Sequence, residues 1–374
     1  MRPETLAAKA LHAIDATTGA IVPPIQLATT YARDADYKLR GPEYTRDQNP
    51  TPGHAERVLA ALEGGEDAMV FSSGMAAATA VFRALCKPGD HVVAPKAGYY
   101  ALRGWLGRFC TQWGIELDLV DTTDLVAVQA ALRPGTRVMW IETPANPTWD
   151  VTDIAAACGL AHLVGAYVVV DSTAATPVHT RPIEHGADLV MHSATKFLAG
   201  HSDVLAGALI TAKRDEPWSK LAQLRKDEGP CLGPMEAYLL LRGMRTLFAR
   251  VERSSVTAHH LAERLAFLPR VSVLYPGLSS HPHHAIAARQ MQRGFGSMLS
   301  IQVGGGPHVA LGTVKRLAVW VPATSLGGVE SLIEHRHTVE GPGSAAPMDL
   351  LRLSVGLEHE DDLFDDLAQS LAAR

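Results

Sequence analysis

The chain predicts an α/β protein: a mainly parallel sheet covered by helices in a large domain, followed by a smaller C-terminal α/β domain. Three observations lead there. Short unbroken apolar runs recur at 68–71, 91–94, 138–141, 167–170, 189–191 and 206–211, and runs without alternation mark strands buried on both faces. Stretches with helical spacing separate several of them, at 74–85, 125–132 and 151–163. The length of 374 residues exceeds one typical core and suits two.

In chain order, residues 1–50 are rich in Pro, Gly and Thr, carry Tyr31, Tyr37 and Tyr44, and show little helical period; they read as an extended arm. The strand–helix alternation starts near residue 54. Residues 233–268 read as one long helix, with Met235, Leu239, Gly243 and Leu247 close to one face, leading out of the first domain. Beyond it, 271–274, 297–303 and 351–353 read as strands, and the Pro- and Gly-rich stretches 276–282 and 341–347 as loops. The expected boundaries are an arm at 1–53, a large domain at 54–245 and a small domain at 246–374. Internal repeats and low-complexity tracts are absent from the sequence.

Composition narrows the function classes. A net charge of -5 offers no basic field for nucleic acid. Cys86, Cys110, Cys158 and Cys231 are scattered without a C-x-x-C pair, which favours reduced thiols over disulfides or a zinc site. No apolar signal core opens the chain and no apolar run is long enough to cross a membrane. The expectation is a cytoplasmic protein with no nucleic-acid or membrane partner.

The most informative segment is Asp188-Leu-Val-Met-His192-Ser193-Ala194-Thr195-Lys196-Phe-Leu-Ala-Gly200-His-Ser202, where a lone lysine follows an apolar run between hydroxyl side chains. A desolvated lysine sheds its proton more easily and becomes a Schiff-base nucleophile and then a general base. Ser193 and Thr195 could bind a phosphate, as where pyridoxal phosphate (PLP) sits beside its lysine. A strand-to-loop junction with a snorkelling lysine is the plainer alternative.

Other positions bear on that choice. Asp171 ends the run 167–170 and, at the buried end of a strand, needs a cationic or donor partner; a protonated pyridine nitrogen is one, a helix N-cap or an arginine another. Ser73, Gly74 and Met75 turn a strand into a helix, where backbone N–H groups suit a phosphate or Ser73 is a plain cap. Asn146, in Glu142-Thr-Pro-Ala-Asn-Pro-Thr148, could meet a cofactor's phenolic oxygen or a substrate carboxylate, or sit in a mere turn. Tyr99 could stack on a pyridine, or join Tyr100 in the core. Tyr44 and Arg46, on an arm without an evident core, could reach another subunit's phosphate or face water. Arg352, in an alternating strand, could grip a carboxylate or lie on an edge. The tract His281-Pro-His283-His284 lacks a second set of ligands, so no metal is expected. Gly304-Gly-Gly-Pro307 reads as a turn, and no G-x-G-x-x-G follows the first strand, which disfavours a dinucleotide-binding oxidoreductase.

Taken in order, Tyr44-Thr-Arg46, Ser72-Ser-Gly-Met75, Glu142 to Thr148, Asp171, the lysine segment and Ser325-Leu-Gly-Gly-Val-Glu-Ser331 resemble the Cys/Met-metabolism PLP enzymes, which include cystathionine γ-synthase, cystathionine γ-lyase, cystathionine β-lyase, methionine γ-lyase and the homoserine-ester sulfhydrylases. The resemblance covers the chain from about residue 15 onward. It implies PLP-dependent transferase fold type I, with a mainly parallel seven-stranded sheet, and a PLP-dependent lyase or transferase of sulfur amino-acid metabolism assembled as a homotetramer of catalytic dimers. Lys196 would be the Schiff-base lysine and Asp171 the pyridinium partner. Ser73, Gly74, Met75, Ser193 and Thr195 would hold the phosphate, completed by Tyr44 and Arg46 of a neighbouring subunit. Tyr99 would stack on the ring and help expel the leaving group. Asn146, Ser325 and Arg352 would hold the α-carboxylate of an amino-acid substrate. The implied reaction is γ-replacement or γ-elimination on a γ-substituted amino acid; β-elimination or methionine γ-elimination is the runner-up, and a catalytically inactive PLP-fold binding module the reading of another class. The chain departs from the family at Tyr100 and Ala101 after Tyr99, at Ser172 and Ala174 after Asp171, and at Thr324, where many members that handle cystathionine carry an acid.

Overall fold

The computed structural model describes residues 1–12, 14–341, 344 and 346–372. Seven strands, β1 (Asp67–Phe71), β2 (His91–Pro95), β3 (Glu116–Val120), β4 (Thr136–Glu142), β5 (Tyr167–Asp171), β6 (Leu189–His192) and β7 (Gly207–Thr211), form one sheet in the order β1-β7-β6-β5-β4-β2-β3. The five strands from β2 to β6 pair in parallel, and β7 runs antiparallel to both β6 and β1. Val168, Val169 and Val170 of β5 are fully buried, because separate apolar clusters cover the two faces of the sheet.

Local chemistry sets the helix starts. Ser73, Asp124 and Asp153 each accept a hydrogen bond from the first turn of the helices Gly74–Leu85, Leu125–Ala131 and Ile154–Leu163. The helix Pro50–Glu63 is capped by Asn49 and ends on Gly64 at φ 74°. It begins inside the stretch read as arm. That stretch also contains a helix at Pro3–Lys9, whose Ala7 is buried with Ala10 against Pro50–Glu63. The expected single helix over 233–268 is two helices, Pro234–Met244 and Leu247–Ala266.

A second sheet follows: β8 (Val271–Leu274), β9 (Met298–Val303), β10 (Val321–Pro322), β11 (Leu332–His335) and β12 (Leu350–Ser354), in the order β10-β11-β12-β9-β8. Its pairs are antiparallel except β10 with β11. The helices Leu247–Ala266 and Glu360–Ala372 bury Leu261, Leu265, Leu363 and Leu367 against it. Of the loop expected at 341–347, residues 342, 343 and 345 lie outside the described ones.

Candidate active site

In a parallel sheet the carboxyl ends of the strands open onto a crevice, and here β1, β4, β5 and β6 deliver their next residues to one cleft of about 230 Å³. Lys196 comes from the turn after β6. Its Nζ donates to Ser325 Oγ at 2.7 Å, and burial, with the charge of Arg352 beside it, lowers the amine to about 8. The backbone beyond Lys196 is clamped. The buried Arg250 donates from Nη1 to Phe197 O at 2.9 Å and from Nη2 to Gly243 O at 2.8 Å. Gly200, at φ 70°, passes so close that a Cβ there would overlap the Arg250 guanidinium.

Asp171 ends β5 and stands in register with Glu142, the last residue of β4. Burial raises both carboxyl groups. Glu142 reaches about 8, pushed further by the charge of Asp171, while the Asp171 shift is opposed by hydrogen bonds from Thr173. Thr173 donates to Asp171 through both its N–H and its hydroxyl, and its Oγ1 accepts from Ser193 N at 2.8 Å. One threonine thus sets the distance between the Asp171 strand end and the lysine turn. Glu142 in turn accepts from Tyr99 N at 2.7 Å and Asn146 N at 2.9 Å, fixing two turns that line the same cleft.

The start of the helix Gly74–Leu85 opens on the cleft. Ser73 Oγ caps Ala76 N at 3.0 Å, and the N–H groups at the start of a helix have no acceptor within it. A Cβ at Gly74 would stand 2.8 Å from Ser193 Oγ, so glycine permits that approach. The Ser193 hydroxyl has no hydrogen-bond partner among the described residues, whereas Thr195 Oγ1 already bonds Ala206 O at 3.1 Å and Ala206 N at 2.9 Å. Ser193, Thr195, Ser73, Gly74 and Met75 all line the cleft. Tyr44 and Arg46 do not: they border a hollow on the arm with Arg33 and Lys226.

The opposite wall comes from the second sheet. Arg352, in the middle of the fully buried strand β12, donates from Nη1 to Asn146 Oδ1 at 3.2 Å and from Nη2 to Ser325 O at 2.8 Å. This excludes the water-facing edge position. Its Nη2 also lies 2.7 Å from Glu334 Oε2, and the same oxygen pairs with Arg336. Burial lowers the Arg352 guanidinium to about 10 against the pull of Glu334. Arg336 is opposed by burial but held above its ordinary value by Glu334 and Glu340, and its guanidinium lies 5.6 Å from the centre of the Tyr100 ring. Ser325 takes φ 129°, unusual for a side-chain-bearing residue. Tyr99 keeps its ring partly exposed in the cleft, edge-on to Tyr100 at 5.5 Å.

Sequence reasoning thus reached the lysine, the strand-end aspartate, the helix N-terminus and the arginine, and missed Glu142 as a site residue along with Thr173, Glu334 and Arg336. Glu142 had a signal: an acid ending an apolar run, as Asp171 does. Glu334 and Arg336 had none, since charged neighbours in a sequence ordinarily mean a solvated face.

A lysine, a buried strand-end aspartate, a helix start and a guanidinium lining one cleft at the carboxyl edge of a parallel sheet mark the class of PLP-dependent enzymes of transferase fold type I. The sequence matches the Cys/Met metabolism PLP-dependent enzyme family over residues 4–372, and the chain belongs to it. It is 45% identical to cystathionine gamma-synthase of Mycobacterium tuberculosis, covering 99% of this chain and 96% of that protein. It is 39% identical to L-methionine gamma-lyase of Pseudomonas putida, covering 95% and 93%. The solved structure of cystathionine gamma synthase from Xanthomonas oryzae pv. oryzae in complex with cystathionine superposes with a TM-score of 0.96 at 36% identity, covering 100% of this chain and 98% of that one. PLP fits the cleft: Gly74 leaves room at the helix start, the Ser193 hydroxyl is without a hydrogen-bond partner among the described residues, and buried Asp171 forms no ion pair among them.

Proposed function

We propose that this chain catalyses γ-replacement, joining a γ-activated amino acid such as a homoserine ester to a thiol amino acid. The observation that carries this is the full-length 45% identity to a cystathionine gamma-synthase, together with a cleft whose two poles suit PLP and an α-carboxylate. PLP supplies an electron sink that acidifies Cα and Cβ of a bound amino acid. Lys196 Nζ would hold the cofactor, and its lowered basicity, which leaves a substantial neutral fraction near pH 8, suits it to carry protons. Ser325 Oγ orients that amine. Asp171 would pair with the ring nitrogen and keep it protonated. Arg352, Asn146 and Ser325 seat the α-carboxylate, so that Cα stands before Lys196. Tyr99, set by Glu142, faces the leaving group. Ser73, Gly74, Met75, Ser193 and Thr195 hold the phosphate, with Tyr44 and Arg46 reaching it from a second copy of the chain in a homotetramer of catalytic dimers. We place the protein in the cytoplasm and divide it into an arm at 1–53, a PLP-binding domain at 54–245 and a small domain at 246–374; no described helix is long and apolar enough to cross a membrane.

The reading is tested by incubating the holoenzyme with an O-acyl-homoserine, with and without cysteine. Cystathionine should be the main product when cysteine is present. Thr324 lines the cleft and, unlike an acid, offers a distal ammonium only a neutral hydrogen bond. Selectivity for cystathionine as a substrate should therefore be weak, and Thr324→Glu should raise kcat/KM for it relative to an uncharged substrate. Methionine γ-elimination is the second reading, favoured by the 39% identity to L-methionine gamma-lyase. Rapid release of ammonia and a 2-oxo acid from methionine, with no cystathionine formed, would select it instead.

A further inference from the structure

The tract at 281–284 gains in three dimensions the second element it lacks in sequence. His281 and His283 come from the turn after β8, and Asp150 from the end of the turn that carries Asn146. One donor atom from each lies within 4.8 Å of the others. His283 Nδ1 is 3.4 Å from Asp150 Oδ1. A tetrahedral ion with bonds of about 2.0–2.1 Å spaces its ligand atoms about 3.3–3.4 Å apart, so this pair already has the required span, and His281 needs to close by no more than about 1.5 Å.

The surroundings prepare the ligands. His281 is 7% exposed; its Nδ1 accepts from His283 N at 3.2 Å, and its Nε2 has no hydrogen-bond partner among the described residues. His283 Nδ1 accepts from Val151 N at 3.3 Å. Both contacts are at the long end for a hydrogen bond, so the single lone pair of each Nδ1 can turn from the N–H group to a metal ion. The Asp150 carboxylate is held by Thr148 Oγ1, the outer support that metal-binding carboxylates commonly have. None of the three residues lines the Lys196 cleft.

We propose that Asp150, His281 and His283 form a binding site for a divalent transition-metal ion of the Zn²⁺, Co²⁺ or Ni²⁺ type. Two imidazoles and one carboxylate suit these ions better than Mg²⁺ or Ca²⁺, which prefer an all-oxygen shell. The ion ties the turn after β8 to the turn after β4. Because Ala145 N donates to Asp150 O at 2.9 Å, the tether ends one backbone bond from the Asn146 turn. A ligand that binds only the folded chain raises its apparent stability.

The test uses untagged holoenzyme freed of metals with EDTA, then dialysed against Zn²⁺ or Co²⁺. One ion per chain should be retained, with a higher Tm and, for Co²⁺, the visible absorption of a four-coordinate site. Asp150→Asn and His283→Gln should each weaken retention about tenfold or more and abolish the Tm rise, while the metal-free variants keep the Tm and PLP absorbance of the metal-free parent. A His281→Gln variant supplies the third ligand test if either of the others fails to fold. Retention below one ion per chain at micromolar metal, or binding unchanged in the variants and lost instead on blocking the cysteines, overturns the proposal.

Discussion

Glu334 acts on the cleft through the two arginines it holds. Its Oε2 alone faces two guanidiniums, Arg352 and Arg336, all three groups being buried. Removing one member of such a network strands the others, at about 3–5 kcal/mol. Glu334→Gln should destabilise the protein by that order in urea unfolding. It should also raise KM for the amino-acid substrate more than it lowers kcat, because Arg352 loses the partner that aims it. An unchanged KM would mean that Asn146 and Ser325 O suffice. Lys196 offers a second test, read from the apoprotein. Its amine is lowered to about 8 from an ordinary 10.5 by burial and by Arg352. Between those values the unfolded chain binds the extra proton, so this residue's contribution to stability rises with pH from about 8 to 10.5 and is most unfavourable below 8. Apo Lys196→Met should therefore be more stable than the parent at pH 7 by about 3 kcal/mol, and the gain should shrink as the pH passes 8. A gain constant with pH would show a packing effect only.

At the scale of elements, legibility followed burial. Strands covered on both faces stood out as unbroken apolar runs. Edge strand β3, Glu-Leu-Asp-Leu-Val, did not, because its residues are only partly buried and two are exposed. Strand β11 was missed because its Glu334 and His335 read as polar surface, although both are buried; Arg352, which faces Glu334, and the Met348 carbonyl, which faces His335, lie farther along the chain. The break between Met244 and Leu247 was invisible for a related reason. Apolar spacing runs on through it, and its cause is the turn at Arg245 and Thr246, where Gly243 packs against the Ala199 carbonyl. This packing joins the helix pair to the lysine turn, and Gly200 is its weakest tolerance. Gly200→Ala would need a left-handed backbone and would drive a methyl group into Arg250. We expect a loss of about 2–4 kcal/mol in thermal or urea unfolding, with weakened PLP retention. A neutral substitution would show that Arg250 moves freely.

Across the whole molecule, Tyr44 and Arg46 were legible as unusual residues on an arm, and within one chain they stay apart from the cleft. If they act from a neighbour, inactive Arg46→Ala and Lys196→Ala proteins, unfolded together and refolded as a mixture, should regain activity. The hybrid carries one intact site in which the lysine comes from one copy and the arm from the other, so about a quarter of parental activity is the statistical ceiling of an equal mixture. Hybrids that form, as shown by native mass spectrometry, yet stay inactive would return both residues to a surface role.

The cleft also divides along the chain. The groups suited to the cofactor, Ser73, Gly74, Met75, Asp171, Ser193, Thr195 and Lys196, all precede residue 200, while Thr324, Ser325, Arg336 and Arg352 arrive from the second sheet more than a hundred residues later. Apart from Tyr99 and Asn146, the groups that meet the substrate are thereby carried on a later stretch than those that meet the cofactor. Variation in the later stretch can redraw what the enzyme accepts while the earlier one keeps the reaction running, so drift toward a new amino acid need not pass through a dead ancestor.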